Sequence, residues 1–211
     1  MVTLAGVGKQ YGRGRPVLAD VDMTVRAGDV VSVVGGNGSG KSTLLRILAG
    51  ITLPTTGTLT DVPYSVGYVP ERFSANTRMA AHSYLCHMGR IRGLPTRRAS
   101  ERADELLERL KLEPGPEFSI RDLSKGNAQK VAVAQSLMTR PDLLILDEPW
   151  SGLDTSAHGT LSALITETAA AGAAVVFTDH RESVARMEVF QRYEIEGGRV
   201  RKSLRRRQGH R

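Results

Sequence analysis

Short apolar runs alternate with stretches of helical character along this chain. Residues 30–34, 143–146 and 173–177 are almost continuously apolar, which is typical of strands buried in a parallel sheet. Helix-like stretches follow these runs, at 44–49, at the Ala- and Leu-rich stretch that ends near 171–172, and at 181–187. The alternation of strand and helix predicts an α/β fold.

Both ends of the chain favour antiparallel strands. Residues 2–7 and 21–25 alternate apolar and polar positions on either side of a turn-rich loop at 12–16, which predicts an N-terminal antiparallel β subdomain. A closing hairpin is predicted near the other end from residues 189–195 and 199–200, on either side of Gly197-Gly198.

A helical insertion interrupts the core. Strand-like segments at 58–60 and 65–69 precede it, and from 80 to 112 the pattern is helical. Five apolar residues recur at helical spacing in its second half: Ala99, Ala103, Leu106, Leu107 and Leu110. We therefore expect one domain with its core at about 1–70 and 135–198, a helical subdomain at about 72–134 and a basic C-terminal tail at 199–211.

The apolar runs, the N-terminus and the cysteine content indicate the cellular compartment of the protein. The longest apolar runs fall well short of the ~18–20 residues that cross a bilayer. The sequence begins without an apolar leader, so no signal peptide is expected, and the single cysteine, Cys86, excludes an internal disulfide. These features predict a cytoplasmic protein.

The net charge of +7 is concentrated in residues 199–211. Seven of the 29 Lys and Arg residues lie there without an acidic residue, and the remaining 22 equal the 22 acidic residues elsewhere. A duplex-binding surface would need its own excess of Lys and Arg, so no specific nucleic-acid partner is expected. The tail is either a solvated end or a weak contact with an anionic membrane surface.

Residues 35–43 fit the phosphate-binding pattern G-x-x-x-x-G-K-[ST] between a strand and a helix. Glycines let backbone N–H groups wrap closely around an anion at a helix N-terminus. Lys41 is expected to reach the β- and γ-phosphates, and the Ser42 hydroxyl to bind Mg²⁺. The alternative is a glycine-rich turn that binds nothing. The loop consists of Gly35, Gly36, Asn37, Gly38, Ser39, Gly40, Lys41, Ser42 and Thr43.

Two carboxylates follow the apolar run 143–146. Ligands bind at the C-terminal ends of strands in open α/β sheets, and adjacent acids there are costly unless a cation requires them. Asp147 suits Mg²⁺ binding, and Glu148 suits activation of the attacking water. A structural pair that caps the next loop is the alternative.

Three further positions are candidates for nucleotide contacts. Ser124 is a plausible N-cap with Gly126 behind it, although read alone this is only a capped helix. Tyr11 could stack on a purine base or merely close a hairpin. His180, at the end of a buried strand, is a candidate γ-phosphate sensor, whereas most lone histidines are structural.

A metal site within the helical insertion is poorly supported. His82, Cys86 and His87 are close in sequence, but their spacing does not make a closed site.

With these pieces in this order, the sequence resembles the ATP-binding domain of ABC transporters over nearly its whole length. The resemblance implies the ABC ATPase fold, which is a P-loop NTPase core with a mixed sheet, and ATP and Mg²⁺ as ligands. It would make 35–43 the Walker A loop, 143–148 the Walker B strand with the catalytic Glu148, 151–154 the D-loop ending at Asp154, His180 the switch histidine, Tyr11 the base-stacking aromatic, and 123–127 the LSGGQ signature.

The chain departs from the family pattern at two places. The signature has Lys125 for the first glycine and Asn127 for glutamine, but Ser124 and Gly126 are kept, so we expect the γ-phosphate contact to survive and Lys125 to point outward or add positive charge. The glutamine of the Q-loop is replaced by Glu71, which can still meet Mg²⁺ or water. Similar loops in ATPases of ABC-2 exporters favour export.

The resemblance also implies partners. ATP would lie between the Walker A loop of one subunit and the signature of another, so hydrolysis would require a dimer with a second ATP-binding subunit. A separate integral membrane subunit would use the motion, which places the chain on the inner face of the cell membrane. The alternatives are a soluble ABC ATPase that acts on nucleic acid or ribosomes, and a regulatory subunit that barely hydrolyses ATP.

Overall fold

The computed structural model describes residues 1–73, 77–178 and 191–203. The apolar runs lie in one six-stranded sheet, with strands numbered in chain order: β3 (Val30–Gly35), β5 (Val66–Val69), β6 (Leu143–Leu146), β7 (Ala174–Thr178), β8 (Gln191–Glu196) and β9 (Arg199–Ser203). The strand order is β5-β6-β7-β3-β8-β9, and all neighbours are parallel except β8 and β9. The prediction of a mixed sheet is confirmed.

A second, antiparallel sheet contains the N-terminal strands β1 (Val2–Lys9), β2 (Leu18–Val25) and β4 (Thr56–Thr60), in the order β2-β1-β4. Apolar side chains of β2 alternate inward over 21–25, as the sequence pattern predicts, whereas a register shift between Leu4 and Val7 interrupts the alternation in β1. The N-terminal antiparallel β subdomain is therefore confirmed.

Among the described residues, five helices connect the strands: α1 (Lys41–Leu48), α2 (Ala81–Ile91), α3 (Thr96–Arg109), α4 (Lys125–Ser136) and α5 (Thr155–Ala170). The helical insertion divides into α2 and α3, because Gly93 adopts a φ of 89° and Pro95 then begins α3 as its N-cap. The prediction of Ser124 as an N-cap is confirmed, because α4 begins at Lys125 and the Ser124 hydroxyl accepts a hydrogen bond from the Asn127 N–H.

Two hydrophobic cores lie on opposite faces of the large sheet. Leu144 and Leu146 of β6 face the core that contains α3, α4 and α5, whereas Leu143 and Ile145 face α1 and the small sheet. Both faces of the strand are thus buried, which explains why its sequence is continuously apolar.

The C-terminal hairpin extends further than its sequence pattern indicates. Residues Arg199–Ser203 pair with β8, so the basic segment begins as an edge strand, and residues 204–211 lie outside the described part of the chain. Within the described residues, no helix combines the length and the apolar character that crossing a membrane requires.

Parallel strand registers bring the C-terminal ends of four strands to one edge of the sheet. Val33 on β3 lies opposite Thr178, Phe177 opposite Leu146, and Leu146 opposite Val69. The loops that leave these strands therefore meet at a common edge, where ligands of open α/β sheets bind.

Candidate functional site

The phosphate-binding loop joins β3 to α1. Gly40, the N-cap of α1, adopts a φ of 108°, and a Cβ there would lie 3.0 Å from the Val17 carbonyl oxygen. Only glycine fits this combination of backbone angle and close approach. The first turn of α1 consequently offers its backbone N–H groups to an anion.

Lys41 is buried at the start of α1, with 6% of its surface exposed. Its Nζ donates hydrogen bonds to the carbonyl oxygens of Gly35 (2.9 Å) and Gly36 (3.0 Å). Burial lowers the pKa of Lys41 from its ordinary value, while the charges of Glu148, Asp147 and Glu71 act in the opposite direction. All three predicted acids therefore act on the charge of the lysine.

The loop also holds a polar atom suited to a ligand. Ser39 Oγ is buried and has no hydrogen-bond partner within the described residues. A buried hydroxyl without a partner is unfavourable unless a bound group or water satisfies it. Ser42 and Thr43, next to Lys41 in α1, are half-buried. This set of amides, hydroxyls and one ammonium fits a polyphosphate.

The two acids that follow β6 are placed by their backbone and by β7. Asp147 is 2% exposed, its N–H donates to the Val69 carbonyl oxygen (2.9 Å), and its Oδ1 accepts from the Thr178 hydroxyl (2.8 Å). The Glu148 N–H donates to Thr178 Oγ1 (2.8 Å). A buried carboxylate near hydroxyls and phosphate oxygens is a suitable ligand set for Mg²⁺, which prefers oxygen donors.

Glu71 and Tyr11 are two further candidates for contacts with a nucleotide. Glu71 is exposed in the loop after β5, and its charge acts on Lys41. Tyr11 follows β1 with half of its surface exposed, and the Lys9 ammonium lies 5.0 Å from its ring centroid. An exposed aromatic ring next to a cation retains a face on which a base could stack.

The predicted signature contacts a different part of the chain. The Ser124 hydroxyl accepts from the N–H of Asn127 (3.2 Å) and from its Nδ2 (3.1 Å). Gly126 packs against the Gly152 carbonyl oxygen, so closely that a Cβ would overlap it. Lys125 is exposed and donates from Nζ to Ser151 Oγ (3.2 Å). The start of α4 is thus joined to residues 151–154.

Asp154 is the N-cap of α5 and has a structural role there. Its Oδ1 accepts from the Ala157 N–H (2.9 Å) and the Ser156 hydroxyl (2.7 Å), and these bonds lower its pKa to about 2. Lys130 of α4, which is 6% exposed, lies 3.6 Å from Asp154 Oδ2. Any nucleotide contact by Asp154 therefore remains a prediction.

Two groups of predicted residues emerge. The first is named the catalytic edge after its predicted role, and it contains the phosphate-binding loop, Asp147, Glu148 and Glu71. The second is the signature surface, which contains Ser124, Gly126 and Asp154. His180 lies outside the described residues.

Two residues that position the site were not predicted from the sequence. Thr178 contacts both acids, and Lys130 connects α4 to the N-cap of α5. Thr178 directly follows the apolar run 173–177, and Lys130 directly precedes the apolar residues 131–134. A polar residue next to a buried apolar run is the signal that could have found each.

The metal alternative in the insertion has no support among the described residues, where no three His, Cys, Asp or Glu side chains form a group suited to a metal ion. His82 contacts Asp104 (3.3 Å), Ser100 (3.3 Å) and Cys86 (3.6 Å), while His87 is exposed.

Comparison with known proteins gives consistent results. A family model described as ABC transporter matches residues 18–151. The zinc import ATP-binding protein ZnuC of Cereibacter sphaeroides is 38% identical over 171 residues, which cover 80% of this chain and 68% of that protein. The Nod factor export ATP-binding protein I of Cupriavidus pinatubonensis is 34% identical over 210 residues, covering 94% of this chain and 64% of that protein. The chain thus spans about two thirds of the length of these two relatives.

Solved structures of ATP-binding proteins of ABC transporters are also similar to this chain in fold. The ATP-binding subunit of an ABC transporter has a TM-score of 0.87 at 26% identity, covering 96% of this chain and 89% of the other. An ATP-binding cassette solved as a dimer in a post-hydrolysis state with ADP and Pi has a TM-score of 0.85 at 26% identity, covering 96% and 98%. On its sequence and its fold, this chain belongs to the ABC transporter family, as an ATP-binding domain.

Proposed function

We propose that this chain binds and hydrolyses ATP to power an ABC transporter, and that two ATP-binding subunits close around the nucleotide. The observation that carries the proposal is the geometry of the catalytic edge, where the phosphate-binding loop follows β3 and the acids Asp147 and Glu148 follow β6 at the same edge of one sheet. The similar dimeric cassette with ADP and Pi supports both the reaction and the dimer.

Each residue of the catalytic edge has a role in this proposal. The loop amides bind the phosphates, and Lys41 exchanges its bonds to the carbonyls of Gly35 and Gly36 for phosphate oxygens. Ser42 and Asp147 hold Mg²⁺, with Glu71 as a further oxygen ligand; the ion supplies neutralisation of phosphate charge. Glu148 accepts a proton from the attacking water.

The second subunit completes the site. Its Ser124 and Gly126 face the γ-phosphate across the interface, with Asp154 beside them. We propose that His180 contacts the same phosphate from the subunit whose phosphate-binding loop holds the nucleotide. One copy would therefore contain two incomplete sites, so hydrolysis requires closure and release follows reopening.

Replacement of the proposed base tests this mechanism. Glu148→Gln keeps the size of the side chain but cannot accept the proton, so turnover should fall by at least ~100-fold while ATP holds the dimer together. Phosphate release and analytical ultracentrifugation with ATP measure the two effects. Glu108→Gln, on the exposed face of α3, is the matched control. Undiminished phosphate release would remove Glu148 from its role.

The partner in this proposal is a separate integral membrane subunit, with the chain peripheral on the cytoplasmic face. Glu71 and the Nod factor export relatives favour export, whereas ZnuC is named for zinc import. Copurification of a hydrophobic integral protein would support the transporter; RNA or DNA retained at moderate salt would support the soluble alternative instead. Uptake of substrate into inside-out vesicles distinguishes export from import.

A further inference from the structure

Thr178 ends β7 at the catalytic edge and is fully buried. Its hydroxyl oxygen accepts the Glu148 N–H at 2.8 Å, and the same hydroxyl donates to Asp147 Oδ1 at 2.8 Å. One side chain on β7 therefore connects the two adjacent carboxylate residues that follow β6.

These two bonds leave the hydroxyl a single orientation. A threonine hydroxyl has only one hydrogen to donate, and here it is directed to Asp147 while the oxygen receives the N–H of Glu148. Branching at Cβ restricts χ1 and reduces the freedom of the side chain further. The bond to Oδ1 in turn limits rotation of the Asp147 carboxylate.

Glu148 needs this support because its backbone is in a left-handed conformation, with a φ of 49°. Non-glycine residues adopt such angles only where the surroundings impose them, often at functional sites. Two hydrogen bonds constrain the Glu148 backbone: its N–H donates to Thr178, and its carbonyl oxygen accepts from the Ser151 N–H at 3.0 Å. The direction in which the Glu148 side chain leaves the main chain depends on both.

The geometry points to Thr178 as a positioning residue for ATP hydrolysis, with one hydroxyl that orients both the metal-binding carboxylate of Asp147 and the base Glu148. This inference rests on the proposed function. Thr178 acts through its neighbours, since its own contacts are with Asp147 and the Glu148 backbone rather than with the reacting atoms.

The inference predicts a defect that depends on Mg²⁺. Thr178→Val retains the shape of the side chain without its hydroxyl, so the Mg²⁺-dependent gain in ATP affinity should fall by about 10-fold, the usual effect of losing a residue that orients a metal ligand. ATP affinity in EDTA should remain as in the parent protein. Thr178→Ser keeps the hydroxyl and should restore most of the Mg²⁺ effect.

The experiment measures ATP binding to the whole chain by calorimetry, with Mg²⁺ and with EDTA, and separately the Mg²⁺ concentration that half-saturates turnover. Thr168→Val is the matched control, because the Thr168 hydroxyl donates only to the Leu164 carbonyl within α5, at 2.6 Å. Thr178→Ala, which only removes atoms, replaces the valine variant if that variant does not fold.

The possible outcomes distinguish failure of the proposed function from failure of the role assigned to Thr178. Parent protein that does not bind ATP would refute the proposed function itself. If the parent protein binds ATP and its Mg²⁺-dependent gain in ATP affinity equals that of Thr178→Val, the role of Thr178 is refuted while the proposed function stands. A comparable loss in Thr168→Val would also overturn it, because loss of a threonine hydroxyl away from the catalytic edge would then have the same effect.

Discussion

At the scale of single residues, the site depends on a few charged side chains. Their burial, their hydrogen bonds and the neighbouring charges determine which ligand they can bind. Lys41 is the central one, because it is buried, bonded to two loop carbonyls and influenced by three acids. A buried cation beside a loop of backbone N–H groups is arranged to receive an anion with several charges.

Lys41→Ala should weaken ATP binding by at least about 10-fold, because a charge-assisted hydrogen bond to phosphate is worth about 1.5–3 kcal/mol. Equilibrium titration with a fluorescent ATP analogue measures the change. Lys202→Ala, in the exposed part of β9, removes an equal charge and should bind as the parent protein does. Unchanged affinity of Lys41→Ala would contradict the assignment of the phosphate-binding loop.

At the scale of elements, the important connection is the one between α4 and the segment 151–154. A hydrogen bond from Lys125 to Ser151, the packing of Gly126 on Gly152 and the ion pair of Lys130 with Asp154 all cross this junction. The signature surface is therefore built from two elements that support each other. A substitution in either element should therefore also perturb the other element.

Gly126→Ala tests the close approach within this junction. The added Cβ would overlap the Gly152 carbonyl oxygen, and a backbone atom cannot easily move aside. We expect a loss of about 1–3 kcal/mol in the free energy of unfolding, measured with urea. Gly159→Ala is the control, because the space around that residue of α5 is open and alanine favours helix. Equal stability of the two variants would show that the junction tolerates separation.

The cap of α5 should make stability depend on pH. Because the pKa of Asp154 falls from 3.8 to about 2 on folding, its contribution is present above pH 3.8 and is lost as the pH falls towards 2. The difference in unfolding free energy between the parent protein and Asp154→Asn should therefore shrink over this interval. Urea unfolding at several pH values measures it, and a difference independent of pH would contradict the capping role.

At the scale of the whole molecule, the large sheet separates two cores and carries the catalytic edge at its rim. Trp150 and Phe177 pack edge to face in the core beneath this rim, with their ring centroids 5.1 Å apart. The helical insertion is attached to the α/β core in part by Arg109, which donates to both carboxylate oxygens of Glu167 at 2.8 and 2.9 Å.

Phe177→Leu should lower the free energy of unfolding by about 1–2 kcal/mol, because it removes the aromatic pair and leaves unfilled volume. Chemical denaturation measures the loss. Phe118→Leu changes the same residue type at a position that is 43% exposed, so it should alter stability by no more than about 0.5 kcal/mol. Equal losses would mean that the Trp150 contact contributes little.

Much of this organisation could be read from the residues in order. The continuous apolar run of β6 predicts a buried strand, and the glycines before Lys41 predict the loop. The break between α2 and α3 at Gly93 was less accessible, because a single turn decides it, whereas the start of α4 follows from Ser124 as its N-cap. The strand at Arg199–Ser203 lies within a basic segment whose charge hides its pairing with β8.

The sequence by itself determined the α/β core, the phosphate-binding loop and the positions of Asp147 and Glu148, since local spacing and strand-loop-helix order are properties of neighbours in the chain. Only the tertiary structure decided that Thr178 holds both acids and that Lys125 and Lys130 contact residues 151 and 154. These pairs are separated by 24 to 31 positions. The register of packed strands and helices brings such residues together, and no local pattern records that register.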